Sequence, residues 1–293
     1  MKMSSKVNLI FLSLIFVSCR ELVQDEFPEF PPVPVINSIL IADRLIKVHV
    51  SISGKIDTNR LEVIDNAEVL IYIDGEVKDT LDYSDNGIYF SSIKVEPLKT
   101  YTCDVIIPGY PKVSCSDCIP ELPIIYDIVH INQAGKDPEG QIYPALKFSF
   151  NNNPSQNLYY QVAIRMIKHG HEQLPEMIEI TDPVLLNEGI PIPVFSNEII
   201  QGNTYTITIN YTTGSASSIG TNLYPLILEM RSISKNYYQF LKQQYLYERG
   251  RYPEFGSAFT STNLYSNIIG GYGIFAGYSS IQSDTIFPYK PVK

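Results

Sequence analysis

The chain has 293 residues, with 22 Lys plus Arg against 31 Asp plus Glu, a formal charge of −9 and a pI near 5.0. That balance argues against nucleic acid as a partner, because phosphate binding needs a basic surface. At 44% hydrophobic and 18% charged residues, the composition excludes extended disorder and collagen-like repeats, and the length suggests one large domain or two small ones. The 21 Tyr and 13 Phe, with no Trp, suit strands.

The N-terminus carries Lys2 and Lys6 ahead of an apolar run from Val7 to Val17. A run of that length is too short to span a hydrocarbon core of about 30 Å, so residues 1–18 are expected to be a secretory signal peptide. The sequence Phe16-Val17-Ser18-Cys19 resembles a bacterial lipobox, with Cys19 as the lipidated (palmitate-type acyl) residue and Phe16 where an aliphatic residue is usual. Two or three acyl chains make a stable anchor where one does not. Removing residues 1–18 takes away two lysines and no acid, leaving 20 basic and 31 acidic residues, or −11. Acidic residues come next at Glu21, Asp25 and Glu26, and Phe27-Pro-Glu-Phe-Pro-Pro-Val-Pro34 reads as a stiff polyproline-like stretch. Residues 19–34 are therefore expected to form a lipidated tether, with the body lipid-anchored to the bacterial outer membrane on its periplasmic or its surface-exposed face.

Period-two patterns dominate the chain beyond residue 34. Val48, Val50 and Ile52 alternate with polar residues, and Val69, Ile71 and Ile73 do so up to a hairpin signal at Asp74-Gly75. Asn86-Gly87 marks a second turn, and Tyr101, Cys103, Val105 and Ile107 share a face. These short strands predict an Ig-like or transthyretin-like antiparallel sandwich over residues 35–120. Beyond a boundary at Pro120 and Pro123, strands are expected at 124–131, 143–150, 158–167, 204–211 and 223–230, with 182–198 a long loop. One helix is expected near 234–249, capped by Ser234 and stopped by Gly250, with Tyr237, Phe240, Leu241 and Tyr245 on a stripe packed against a sheet. The fold class is thus mostly β, a sandwich followed by a second β-rich domain over 121–293 carrying one helix.

Residues that could carry chemistry are few. With Cys19 lipidated, Cys103, Cys115 and Cys118 remain, enough for one intramolecular disulfide outside the cytoplasm; a bridge from Cys103 to Cys115 or Cys118 competes with Cys115–Cys118. Cys115-Ser-Asp-Cys118 has the spacing of a zinc or redox half-site, but no second pair completes it. His169-Gly170-His171 offers two rings on one face of an extended strand and reads better as a solvated hairpin tip. The glycines from Gly270 to Gly277 come after the helix and lack a P-loop lysine, so they read as a turn and a strand packed closely on its neighbour. No nucleophile elbow, zinc-protease motif or calcium loop occurs, and the expectation is a non-enzyme with no cofactor, no metal and no catalytic residue.

The pieces together resemble the Bacteroidota lipoprotein family known as domain of unknown function 4249. The resemblance rests on the lipidated cysteine, Val48-His-Val-Ser-Ile-Ser53, Asn66-Ala-Glu-Val-Leu-Ile-Tyr72, Thr100-Tyr-Thr-Cys-Asp-Val105, and above all a C-terminal pattern containing Asn267, Gly271, Gly273, Phe275 and Gly277. It implies a cell-envelope lipoprotein, an accessory or ligand-capture partner of a TonB-dependent outer-membrane transporter, with an unknown small ligand. The competing expectation is a surface adhesin or structural envelope module without an import role.

Overall fold

The computed structural model describes residues 31–54, 62–187, 190–213, 223–250 and 264–288. The segment 1–18 expected to be a signal peptide, Cys19 and most of the expected tether lie outside the described residues. The fold is mostly β, with one α-helix among the described residues. Two antiparallel sheets enclose a first core. One contains β1 (Pro34–Ile41), β2 (Leu45–Ile52), β3 (Glu62–Val63), β6 (Asp82–Tyr83) and β7 (Ile88–Lys94). The other runs in the order β5 (Glu76–Thr80), β4 (Glu68–Ile73), β8 (Thr100–Ile106), β9 (Val113–Cys118). Asp74 and Gly75 join β4 to β5 with φ of 51° and 89°, the left-handed pair of a two-residue hairpin turn. Alternate residues then face inward: Val48, Val50, Val69, Ile71, Tyr101, Cys103 and Val105 are fully buried. Tyr89 fits in this core because its hydroxyl is satisfied, donating to Ile64 O and accepting from Ala67 N, both at 3.0 Å.

A second core lies between the three-stranded sheet β10 (Ile125–Lys136), β11 (Ile142–Asn151), β17 (Thr204–Asn210) and the strands β12 (Tyr159–Lys168) and β18 (Leu226–Ile233). Phe148, Phe150, Ile207 and Ile209 meet Val162, Ile164, Leu228 and Met230 there. The other face of β12 and β18 is covered by the helix α1 (Lys235–Gly250). Ser234 caps it as expected, its hydroxyl accepting from Tyr237 N at 3.1 Å. Tyr237 stacks on Tyr278, Tyr238 stacks on Tyr159, and Leu241 is buried between them, so the aromatic stripe packs on the sheet. The segment 182–198 is more ordered than a loop. It holds a single 3₁₀ turn, Pro183–Leu185, capped by Asp182, then the hairpin β14 (Leu186–Asn187) and β15 (Ile190–Pro191), then β16 (Val194–Ser196), which pairs with β12. Its prolines and asparagines concealed these pairings, each only two or three residues long.

One strand joins the two cores. β19 (Tyr272–Gln282) pairs in parallel with β1 from Val35↔Tyr272 to Ile41↔Tyr278, and antiparallel with β18 from Ile233↔Tyr278 to Glu229↔Gln282. The result is a ten-stranded sheet whose order includes β13 (His171–Gln173), then β12, β18, β19, β1, β2, β7 and β6. Phe275 and Ile268 are buried in the first core, so residues 121–293 do not form a self-contained unit; their last strand finishes the sandwich at 35–120.

Glycine makes this contact sterically feasible. Gly273 has φ of 112°, and a Cβ there would overlap Ile36 O and lie 2.8 Å from Ile36 C. At Gly277 a Cβ would overlap Ile119 Cδ1 and sit 2.7 Å from Leu40 O. A polar latch lies beside them. Asp117 accepts from Gly277 N and from Asn236 Nδ2, each at 3.0 Å, while Tyr265 OH donates to Asn236 Oδ1 at 2.6 Å. Burial pushes the Asp117 carboxyl up to about 6, outweighing the Ser234, Cys118, Gly277 and Asn236 donors that favour the anion.

Stability should respond at three positions along this scaffold. Gly273→Ala should destabilise the protein by at least about 2 kcal/mol in urea unfolding, through backbone overlap and positive φ together. Gly75→Ala, also at positive φ but with open space around its Cβ, should cost only about 1 kcal/mol. Because the Asp117 pKa is raised on folding, its contribution is fully present below the ordinary carboxylate value and is lost as pH rises through about 6. Relative to Asp117→Asn, the wild type should therefore lose up to about 3 kcal/mol between pH 4 and 7, read from paired unfolding curves; a pH-independent difference would refute the shift.

Candidate functional site

The residues singled out from sequence are placed in structural roles. Cys103 and Cys115 face each other in register across β8 and β9, both buried in the first core, whereas Cys118 is exposed. All three are free thiols. The hydrogen bond with Cys103, together with burial, holds the Cys115 thiol far above its ordinary range. His169 and Gly170 form the two-residue turn between β12 and β13, with φ of 53° and 80°, an exposed hairpin tip. Among the described residues, no group of three or more His, Cys, Asp or Glu side chains is arranged to hold a metal ion. The C-terminal pattern sits at the strand junction. Asn267 mimics a strand neighbour for Phe275, accepting from its N–H at 3.0 Å and donating to its carbonyl at 2.7 Å. Gly271, whose Cβ would lie 2.6 Å from Pro34 O, Gly273 and Gly277 let the strands approach.

The chemistry collects elsewhere, in a cleft of about 560 Å³ at the edge of the second core. β12 and β18 carry charges among their apolar residues: Gln161 and Arg165 on one, Glu229 and Arg231 on the other, all facing the α1 side. Register sets Gln161 opposite Arg231 and Ala163 opposite Glu229. The strands therefore bring these side chains together without a loop. Glu229 is buried and accepts from Arg231 Nε at 2.7 Å, and its second oxygen lies 3.6 Å from Arg165 Nη2. Arg231 Nη1 donates to Gln161 Oε1 at 2.9 Å, and its guanidinium lies over the Tyr278 ring at 4.7 Å. Burial alone would lower the Arg231 pKa, yet the Glu229 carboxylate and Tyr278 raise it above its ordinary value. Arg165 Nη1 donates to Glu172 Oε2 at 3.3 Å, while its Nε and Nη2 are buried without a hydrogen-bond partner.

The opposite wall is apolar, formed by Val162, Ile164, Met177, Ile209 and Tyr211. The Tyr211 hydroxyl lies 2.8 Å from His130 Nε2, and His130 Nδ1 lies 2.8 Å from Asn132 Oδ1. An amide oxygen only accepts, so the neutral ring carries its proton on Nδ1 and accepts a hydrogen bond from the tyrosine O–H at Nε2. Burial lowers the His130 pKa and raises that of Tyr211, which keeps both neutral. A charged wall and an apolar wall on either side of one strand suit binding of a two-sided ligand. Sequence reasoning passed over these residues. Their one signal was the appearance of Arg165, Glu229 and Arg231 inside apolar strands, where charge is rare unless paired.

A second cleft of about 510 Å³ lies where the two cores meet, lined by Pro120, Pro123, Asn152, Asn157, Tyr159 and Lys235 among others. Its amides serve the fold: Asn152 donates to Gly202 O at 2.7 Å and accepts from Asn197 Nδ2 at 2.9 Å.

Among solved structures, the chain is similar to a membrane anchored protein from Corynebacterium diphtheriae, at 10% identity and a TM-score of 0.21. That likeness covers 71% of this chain, which spans 55% of the length of the other. No curated protein matches the chain. The family model described as Domain of unknown function (DUF4249) matches residues 20–284, and the chain belongs to that family.

Proposed function

We propose that the chain is a lipid-anchored protein of the bacterial cell envelope that captures a ligand for a TonB-dependent outer-membrane transporter. The observation that carries ligand capture is the cleft between β12, β18 and α1, where a buried carboxylate and two arginines face an apolar wall. A paired charge network inside a sheet adds little to stability compared with apolar packing, so its presence at a cleft favours recognition. The lipobox-like run ending at Cys19 and the proline-rich stretch after it support a tethered body. Confinement to a membrane raises the effective concentration of partner and ligand without new contacts. Among the described residues, no helix is long and apolar enough to cross a membrane.

Two measurements test this reading. The tagged full-length protein, extracted in gentle detergent, should bring an outer-membrane receptor with it, and repeated recovery alone would count against the partnership. Cys19→Ser should abolish acyl labelling and release the protein from the membrane fraction; unchanged membrane retention and labelling would remove Cys19 as the anchor.

A further inference from the structure

Two of the cysteines face each other inside the first core. The register between β8 and β9 sets Cys103 directly opposite Cys115, and both are buried in the cluster that holds Tyr101, Val105 and Val113. Ile119 N–H bonds Lys99 O, so the odd-numbered residues of β8 turn their peptide groups toward β9. Cys103 and Cys115 are therefore a hydrogen-bonded pair with Cα atoms about 5.5 Å apart, within the roughly 4.4–6.8 Å that a disulfide spans. Across the pair, the Cys115 sulfur lies 3.6 Å from Cys103 O. Cys118 is placed differently. It lies opposite Thr100 and is exposed on the outer face, as its odd spacing from Cys115 requires. Three positions along a strand put it about 10 Å from Cys115, beyond the ~7 Å at which bridging fails. Nor does its outward side chain reach Cys103 through the sheet. The register thus selects one of the three pairings that the sequence leaves open.

We infer that Cys103 and Cys115 are the chain's disulfide pair, joined as β8 and β9 come together and before the first core closes. Thiol–disulfide exchange makes the bond. The Cys103 thiolate attacks the disulfide of a thiol–disulfide oxidoreductase, and one donor sulfur leaves as a thiolate. The Cys115 thiolate then attacks the Cys103 sulfur and releases the second donor sulfur. Two S–H bonds become one S–S bond, and the donor, reduced to a dithiol, takes up the two protons. Burial sets the timing, because a protein donor has no access to either sulfur once the core has closed. The position gives the bond a purpose, since β9 receives the tail of the chain. Ser114 bridges Ile269, Asp117 accepts from Gly277 N, and Ile119 packs on Gly277. A slip of one residue in β9 would turn Asp117 outward, so a covalent tie at Cys115 holds this edge in register until β19 arrives. Formation in the cell rests on the envelope reading above, because the cytoplasm keeps thiols reduced; the pairing itself does not, so the two can fail separately.

The test maps the thiols of the full-length protein, reduced in denaturant and refolded with reduced and oxidised glutathione. Trypsin cuts after Lys99, Lys112 and Lys136, which puts Cys103 on one peptide and Cys115 with Cys118 on the next. Free thiols are blocked in denaturant and the digest is weighed without reductant. The two peptides should be joined and lighter by two hydrogens, with the blocking group on Cys118. Cys118→Ser should leave the link in place, and Cys115→Ser should abolish it without passing it to Cys118. In urea, the bridged form should unfold with an equilibrium constant up to about a hundredfold smaller than the reduced form, for a closed loop of this length. Blocking groups on both Cys103 and Cys115, a bridge within the Cys115–Cys118 peptide, or a bridged form less stable than the reduced one overturns the pairing. A joined pair after refolding, with both thiols free in acid-quenched cells, would uphold the pairing and count against the envelope location.

Discussion

The whole structure depends on the placement of β19 between β1 and β18. That strand offers one edge to a parallel neighbour and the other to an antiparallel one, changing partner near Tyr278. Parallel pairing brings carbonyls of β1 close to the backbone of β19, and a side chain at Gly273 or Gly277 would occupy space already taken by Ile36, Leu40 or Ile119. Phe275, between those glycines, fills the first core. Two sandwiches that would otherwise touch through a linker are thereby fused into one sheet. Asp117 and Asn267 tie the same junction from the β9 and β19 sides through bonds to main-chain groups.

Much of the fold is legible in the sequence because its strands are half-buried. Val48–Ile52, Val69–Ile73 and Tyr205–Tyr211 alternate cleanly, and the turns at Asp74-Gly75 and Asn86-Gly87 adopt the positive φ that their residue types predict. The helix is legible for the same reason, with one stripe of rings facing a sheet. The fusion of the two sandwiches is not, since nothing local in Tyr272–Gln282 announces a partner near residue 35. The short pairs within 182–198 escape notice because two or three residues show no period.

The cleft was hidden for a different reason. Arg165, Glu229 and Arg231 are scattered through apolar strands, and only the register between β12 and β18 sets them side by side. The glycine-rich C-terminal pattern, the most specific feature of the sequence, proves to be a packing device. Sequence distinctiveness and chemical reactivity thus lie in different places. The glycines mark where backbones must nearly touch, and the charges mark where a buried carboxylate and two arginines meet.

The bond from Ile274 N to Asn37 Oδ1 spans 237 positions of the chain. Non-local pairing of this kind is slow, because loop-closure entropy must be met before the contact is gained. Whenever the polypeptide emerges amino end first, from a ribosome or a translocation pore, its leading sandwich waits with an open seam beside β1 until nearly all of the remaining chain has come out. Maturation is thereby keyed to the arrival of the tail, and a fragment truncated before Tyr272 would carry an unfilled sheet edge and lack the Phe275 plug.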